Sequence, residues 1–205
     1  MSLEYAILGF LQYGPLSGYD LKNVFDMSVR HFWPADQSQI YRALAKLAER
    51  GWTEIEVIEQ DDRPDRKVYH ITDDGRKELH TWLSTPLPAS NERIPLLIQI
   101  FFAGQTDNTE IMALFQHLAD ICHEKLAKLQ QIPEQLKSCK LATADLSRDA
   151  FFWMLTRDYG IHMTKANLEW LENVMDRLQR GDHEKGSDHE DSRREWEPAR
   201  SPREH

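Results

Sequence analysis

The most distinctive chemistry in this 205-residue chain lies on one side of a short predicted helix. In the stretch Ala35–Trp52, apolar residues recur at helical spacing between Ile40 and Leu47, which predicts one buried stripe. The opposite side carries short polar, amide and cationic side chains. Groups of this kind hydrogen-bond to the base edges and phosphates of nucleic acids. These side chains are Ser38, Gln39, Arg42, Lys46 and Glu49.

An ordinary surface helix would show the same two-sided pattern, so the neighbouring elements decide between the two interpretations. After Gly51, polarity alternates over Trp52–Glu59, and the β-branched residues there favour a strand. A polar, turn-rich segment, Gln60–Lys67, leads to a second short strand, Val68–Ile71, which Thr72–Gly75 closes. We call this predicted hairpin the wing, and its cationic tip could lie along a phosphate backbone. The cations at the tip are Arg63, Arg66 and Lys67.

Two short helices are predicted upstream. An apolar face within Leu3–Leu11 predicts the first, which ends before Pro15. Ser17 and Asp20 have the spacing of a capping box, so the second helix should run from Gly18 to about Phe25.

The helix that carries the polar face, here called the reading helix, is predicted over Asp36–Arg50. Asp36 is a plausible N-cap, with Gln39 three positions later. Two helices, a reading helix and a hairpin follow the order of a winged helix-turn-helix domain. The predicted fold class is therefore mainly α with a small β-hairpin wing, followed by a C-terminal helical dimerisation domain. That order would hold the first turn of the reading helix rigidly toward DNA.

The chain resembles the PadR-like family of bacterial transcriptional regulators. Three phrases carry the resemblance: AILGFLQYGPLSGYDL (Ala6–Leu21), SQIYRALAKLAERGW (Ser38–Trp52) and RPDRKVYHITDDGRKEL (Arg63–Leu79). The match covers roughly Met1–Leu87, whereas the C-terminal half is similar to the longer-tailed members only in layout. The resemblance implies a dimeric DNA-binding repressor or activator, often one that a small molecule releases.

The resemblance also implies which residues contact DNA. Tyr19 would approach a phosphate, and four residues of the reading helix would face the major groove. Lys46 would lie closer to the backbone, and two cations would serve the wing. The major-groove residues are Ser38, Gln39, Tyr41 and Arg42, and the wing residues are Arg66 and Lys67.

Several of these residues also have a structural interpretation. Tyr41 could pack against the wing, and Tyr19 could be a core residue with a capped hydroxyl. Arg42 and Lys46 could be plain solvated charges. Arg66 is less ambiguous, because the hairpin has little core for it to support.

The charge balance weighs against DNA binding. The chain has 25 Lys and Arg against 34 Asp and Glu, a formal net charge of −9, and its N-terminal part is also net acidic. Nucleic-acid-binding domains are usually basic. A rival interpretation therefore stays open: a helical adaptor that uses a winged-helix domain for protein contacts and does not bind DNA.

The C-terminal half begins after a linker, Thr85–Pro95. The run Leu96–Phe102 is apolar nearly all round, so a neighbouring subunit or the next helices should cover it. From Thr109 onward apolar residues keep helical spacing until Pro133, which should break or kink the helix.

A heptad-like seam on the last helix predicts intersubunit packing and hence a homodimer, which would match an inverted-repeat operator. The alternative is a helical hairpin within one chain. The residues assigned to the dimer interface are Met154, Ile161, Leu168, Leu171, Met175 and Leu178.

Large aromatic rings in this half could line a pocket for an aromatic or phenolic effector, although such clusters are more often core or dimer interface. The residues assigned to this pocket are Phe101, Phe102, Phe152, Trp153 and His162.

These patterns predict three segments: a DNA-binding domain over residues 1–87, a helical dimerisation and effector domain over 88–180, and a disordered, charged tail over 181–205. The tail histidines lack paired spacing, so no metal and no cofactor are expected. Enzyme signatures such as H-E-x-x-H and G-x-S-x-G are missing from the sequence, which favours a protein that is not an enzyme. No apolar run approaches the roughly 20 residues that cross a bilayer, and we expect a cytoplasmic protein.

Overall fold

The computed structural model describes residues 2–60, 65–88, 93–137 and 147–182. Over these residues the protein is mainly helical with one small antiparallel sheet, which confirms the predicted fold class. In chain order the elements are α1 (Ser2–Leu11), β1 (Leu16–Ser17), α2 (Gly18–Met27), α3 (Gln37–Glu49), β2 (Thr53–Ile58), β3 (Arg66–Ile71), α4 (Asp73–Ser84), α5 (Pro95–Phe101), a 3-10 turn (Ala103–Gln105), α6 (Asn108–Lys137) and α7 (Ser147–Gln179).

The chain divides into two compact units. Unit 1 contains Met1–Arg93 and Lys125–Met163, and unit 2 contains Ile94–Glu124 and Thr164–His205. Both long helices, α6 and α7, contribute a segment to each unit. The predicted segments 1–87, 88–180 and 181–205 stay a prediction, and residues 183–205 of the expected disordered tail lie outside the described residues.

The core of unit 1 is built by the first three helices, as their apolar spacing predicts. Each of these helices buries one stripe, and the rings of Phe10 and Phe25 meet edge to face with centroids 4.9 Å apart. Gly51 takes a φ of 71°, a left-handed conformation that suits glycine and ends α3. Residues that are almost wholly buried include Ile7, Leu8, Leu21, Phe25, Ile40, Leu44 and Leu47.

The sheet has the order β1-β3-β2, and both pairs are antiparallel. The two-residue strand β1 was not predicted; it pairs Leu16 with Tyr69 and Ser17 with Val68. β3 starts at Arg66, two residues earlier than the pattern predicted, because Arg66 pairs with Ile58 at the end of β2. The wing is thus attached through β1 to the start of α2.

The interpretation of Thr72–Gly75 as a turn that merely closes the hairpin was wrong. Thr72 is the N-cap of α4, and its hydroxyl accepts a hydrogen bond from the Gly75 amide at 3.1 Å. α4 returns to α1, where the Trp82 ring stacks on Tyr5 with centroids 4.7 Å apart. The Tyr5 hydroxyl donates to Glu78 at 2.8 Å. α4 therefore completes the core of unit 1.

The C-terminal helices also depart from expectation at two points. α6 continues as a helix through Pro133 to Lys137, so the proline does not break it. In α5 no side chain is buried, and Ile98 and Phe101 are exposed within the single chain. The expected cover over most sides of α5 is thus not supplied by unit 2 itself.

In unit 2, the seam on α7 packs against α6 of the same chain. In unit 2, Leu171 is only 3% exposed and shares a cluster with Ile111, Phe115 and Ala119 of α6. Leu168, Met175 and Leu178 pack around that cluster. In unit 1, Met154 and Ile161 are half-buried. This packing agrees with the alternative interpretation, a helical hairpin within one chain. The assignment of the seam to a dimer interface stays a prediction.

Candidate nucleic-acid interface

The first turn of α3 is held by a capping box, as its sequence predicts. The Asp36 carboxylate accepts from the backbone N–H of Gln39 at 2.7 Å, and the side-chain oxygen Oε1 of Gln39 accepts from the backbone N–H of Asp36 at 2.9 Å. The Ser38 hydroxyl donates to Asp36 at 2.7 Å. These bonds, from Ser38 first and then Gln39, lower the pKa of Asp36 below its usual value. The turn is therefore exposed but locally fixed.

Two cations continue the exposed face of α3. Arg42 Nε donates to the Ser38 carbonyl at 3.3 Å, which directs the guanidinium toward the first turn. One turn later, Lys46 Nζ lies 3.9 Å from Glu4 Oε1 of α1, and its side chain is 62% exposed. Both cations thus remain accessible to an anionic ligand while weak contacts orient them.

The Tyr41 side chain is packed on one side and exposed on the other. Its ring lies over Gly18, where an added Cβ would come within 2.6 Å of Tyr41 Cε1. It also approaches Tyr69 of β3, whose pKa is raised first by burial and then by Tyr41. The side chain still keeps 43% of its surface exposed. Tyr41 therefore joins α3 to the start of α2 and leaves one edge on the outer face.

Tyr19 lies at the start of α2 and is 65% exposed. The interpretation of Tyr19 as a core residue was wrong, because the neighbouring residues Leu21 and Val24 fill the buried side of the helix. Its exposure leaves the ring accessible to a ligand on this side of the domain.

Arg66 has a structural partner that the sequence interpretation missed. Its Nη2 donates to Asp20 Oδ2 at 2.6 Å, and Asp20 is buried in the capping box that Ser17 begins. The argument that the hairpin gives this arginine little to support was therefore wrong. The pair joins β3 to α2 across 46 residues, a partnership that no local pattern reveals. The one local signal was Asp20 itself, at the third position of a predicted helix.

The described part of the wing is more acidic than its predicted tip suggested. Lys67 is exposed and faces Val57 across the hairpin. Glu56 pairs with His70 Nε2 at 2.8 Å. Arg63 lies outside the described residues. The exposed carboxylates of the described wing are Glu54, Glu56, Glu59 and Asp65.

The residues assigned to an effector pocket fall in both units. In unit 2, Phe101 and Phe102 are exposed and meet edge to face at 5.0 Å. In unit 1, Trp153 is half-buried and meets Tyr13 edge to face at 5.7 Å, and Phe152 is exposed. His162 Nδ1 donates to the Asp158 carbonyl at 2.7 Å. The pocket itself stays a prediction.

The described part of the chain has neither a metal-binding cluster nor a membrane-spanning helix. Within the described ranges, no cluster of three or more His, Cys, Asp or Glu side chains could hold a metal ion, and residues 183–205 with their histidines lie outside those ranges. No helix in the described part of the chain is long and apolar enough to span a bilayer.

Family comparisons match nearly the whole described chain. The model of the transcriptional regulator PadR-like family matches residues 7–81, and the model of the virulence activator alpha C-terminal region matches residues 92–179. The first match contains α3 and the wing, and the second contains α5, α6 and α7.

Individual relatives agree with these matches. The negative transcriptional regulator PadR of Bacillus subtilis is 32% identical over 176 residues, which are 84% of this chain and 95% of that protein. Crystal structures of the Bacillus subtilis protein with operator DNA and with p-coumaric acid give TM-scores of 0.74 and 0.71. Each structure is 30% identical and covers 87% of this chain and 99% of its own. The chain therefore belongs to the PadR-like family of transcriptional regulators.

Proposed function

We propose that this regulator is a homodimeric repressor that reads an inverted-repeat operator with α3, one copy for each half-site. The observation that carries the proposal is the exposed first turn of α3, where Ser38 and Gln39 are fixed by the cap and Arg42 continues the face. A rigid row of polar side chains on an exposed helix suits recognition of base edges in the major groove. The operator complex of the similar Bacillus subtilis protein supports the same use of the fold. Because the ligand would be DNA, the protein would act in the cytoplasm as a regulator and not as an enzyme.

Fluorescence anisotropy with DNA from upstream of the protein's own gene tests this proposal. We expect binding that weakens steeply with salt and a large loss of binding in Arg42→Ala. Lys77→Ala is the matched control, because Lys77 is an exposed cation on α4 that pairs only weakly with Asp74 at the surface. No salt-dependent binding to any upstream fragment would exclude the DNA-binding function and favour the adaptor.

The dimer needs a surface that the single chain leaves uncovered. One face of α7 in unit 1 exposes an apolar side chain at every fourth position, so that it forms a continuous stripe. We place the dimer contact on this stripe, since its residues are exposed in the single chain whereas Leu171 of the seam is buried there. The stripe residues are Phe151, Leu155, Tyr159 and Met163.

Sedimentation equilibrium tests the placement of the dimer contact. Leu155→Glu should yield a folded monomer, because Leu155 is exposed in the single chain and its replacement leaves the core intact. Leu171→Glu should instead unfold unit 2, since Leu171 is buried there. A Leu155→Glu protein that remains fully dimeric would exclude the stripe as the interface.

We further propose that a phenolic acid releases the protein from DNA. The support is the p-coumaric acid complex of the similar Bacillus subtilis protein and the concentration of exposed rings on α5 and α7. Adding p-coumaric acid to the preformed DNA complex should lower anisotropy to that of free DNA. Cinnamic acid, which lacks only the phenolic hydroxyl, is the matched control, and equal release by both acids would contradict a phenol-selective site.

A further inference from the structure

Gly18 is a glycine whose own backbone does not require glycine. It is the buried first residue of α2 and does not have a positive φ, so its conformation would suit any L residue. What excludes a side chain at this position is the Tyr41 ring. A Cβ added at Gly18 would lie 2.6 Å from Tyr41 Cε1, 2.7 Å from Cζ and 3.0 Å from the hydroxyl oxygen. The outer end of the ring therefore packs directly on the Gly18 backbone.

Contacts to β3 hold the chain on both sides of Gly18. The preceding residue, Ser17, pairs with Val68 of β3. Two positions after Gly18, the Asp20 carboxylate accepts from the Ser17 hydroxyl at 2.7 Å and from Arg66 Nη2 of β3 at 2.6 Å. Because these contacts flank Gly18 closely, its backbone could move away from the Tyr41 ring only by breaking them.

The Tyr41 ring, in contrast, has room to move. The side chain is 43% exposed, and the atoms that face Gly18 form its far end, which turns about two single bonds. An alanine at Gly18 would therefore displace the ring and leave the backbone in place. We infer that Gly18 is a positioning residue for operator binding: it allows the Tyr41 ring to lie where its exposed edge contacts DNA. The inference rests on the proposed operator binding by α3.

Gly18→Ala in the full chain tests this inference by fluorescence anisotropy with the upstream DNA fragment that the wild type binds. We expect affinity to fall roughly tenfold, as for one lost contact to DNA. Thermal unfolding should stay close to that of the wild type, because the ring moves rather than the backbone and alanine favours a helix more than glycine does. Gly9→Ala is the matched control: Gly9 lies within α1, and a Cβ added there meets nothing within 4 Å. It should leave DNA affinity unchanged.

A double-mutant cycle with Tyr41→Ala separates positioning of the ring from any other effect of Gly18. Tyr41→Ala alone should weaken DNA binding by about the same factor as Gly18→Ala. Once the ring is absent, the added methyl group has nothing to displace, so the double variant should bind no more weakly than Tyr41→Ala. Independent effects would instead multiply, to a loss of roughly a hundredfold.

Four results would overturn the inference while the wild type still binds DNA. Full affinity in Tyr41→Ala would mean that the ring makes no contact, and full affinity in Gly18→Ala would mean that its position does not matter. Multiplied losses in the double variant would mean that Gly18 acts without Tyr41. A Gly18→Ala protein that does not fold would mean that the backbone gives way instead of the ring. A wild type that binds no upstream fragment would overturn the proposed function as well.

Discussion

α3 and the wing both carry cations toward the same predicted ligand, yet they hold them in different ways. α3 is fixed from below by a buried stripe and from its end by the cap at Asp36, so Arg42 and Lys46 are left exposed. In the wing, Arg66 is paired with Asp20, and Lys67 is exposed and faces Val57 across the hairpin. In this net acidic protein, α3 therefore presents its described cations without a strong partner, whereas the wing uses Arg66 to join β3 to α2.

The largest difference between α3 and the wing should appear in the free energy of unfolding. Leu44→Ala in α3 should lower the free energy of unfolding by about 2–5 kcal/mol, because Leu44 is wholly buried and its loss leaves a cavity. Val57→Ala in the wing should cost about 0.5 kcal/mol or less, since Val57 is 53% exposed. Urea unfolding followed by circular dichroism measures both. Equal losses would show that the wing contributes as much to the core as α3 does.

The next contrast concerns DNA affinity. Arg42→Ala should cost about 1–3 kcal/mol of binding free energy and relax specificity at one base pair, as expected for a base-reading arginine. The dimer should persist, because Arg42 lies on the exposed side of α3. Anisotropy titrations against the operator and a scrambled duplex separate the two effects. A uniform loss on both duplexes would instead assign Arg42 to a phosphate.

A smaller contrast lies within the wing itself. Arg66→Gln should reduce the free energy of unfolding by about 1 kcal/mol, because the buried Asp20 loses a charged partner. Lys67→Gln should leave stability unchanged but lower the slope of log affinity against log salt by about 1, as for one lost phosphate contact. Urea unfolding and salt titrations of both variants test this division. A reduced salt slope in Arg66→Gln would mean that Arg66 also contacts DNA.

The smallest effect is the pH dependence of the cap on α3. Hydrogen bonds from Ser38 and Gln39 lower the pKa of Asp36 in the folded protein. The resulting stabilisation is fully present above the unfolded pKa, near 4, and is lost as pH falls through the lower folded pKa. Asp36→Asn keeps a cap that does not titrate. Melting temperatures from about pH 6 to about pH 3 should fall further in the wild type than in Asp36→Asn.

Local patterns were sufficient for much of the fold and for part of the site. The capping boxes at Ser17 and Asp36 and the end of α3 at Gly51 were readable from the sequence, because their hydrogen bonds join residues only a few positions apart. The exposed row of side chains on α3 followed from helical periodicity for the same reason. α4 was missed although Thr72 has an N-cap signature, since the hairpin was expected to close there.

Contacts between distant residues could not be predicted in this way. β1 is a strand only because Leu16 and Ser17 lie beside β3, and two residues carry no periodicity. The seam on α7 was readable as apolar, but apolarity does not say whether the covering helix belongs to the same chain. Within unit 2, Leu171 shares a buried cluster with Phe115 of the same chain, and the assignment of the seam to a dimer interface stays a prediction.

The sequence by itself determined α1, α2 and α3, the capping boxes at Ser17 and Asp36 and the polar face of α3, because the interactions responsible span one or two helical turns. Tertiary structure decided which of the site's side chains are available to a ligand. Arg66 is committed to Asp20 and Tyr41 to Gly18, and Tyr19 is left exposed. Such partnerships arise only when chain segments far apart in sequence meet, so the pattern of one segment cannot contain them.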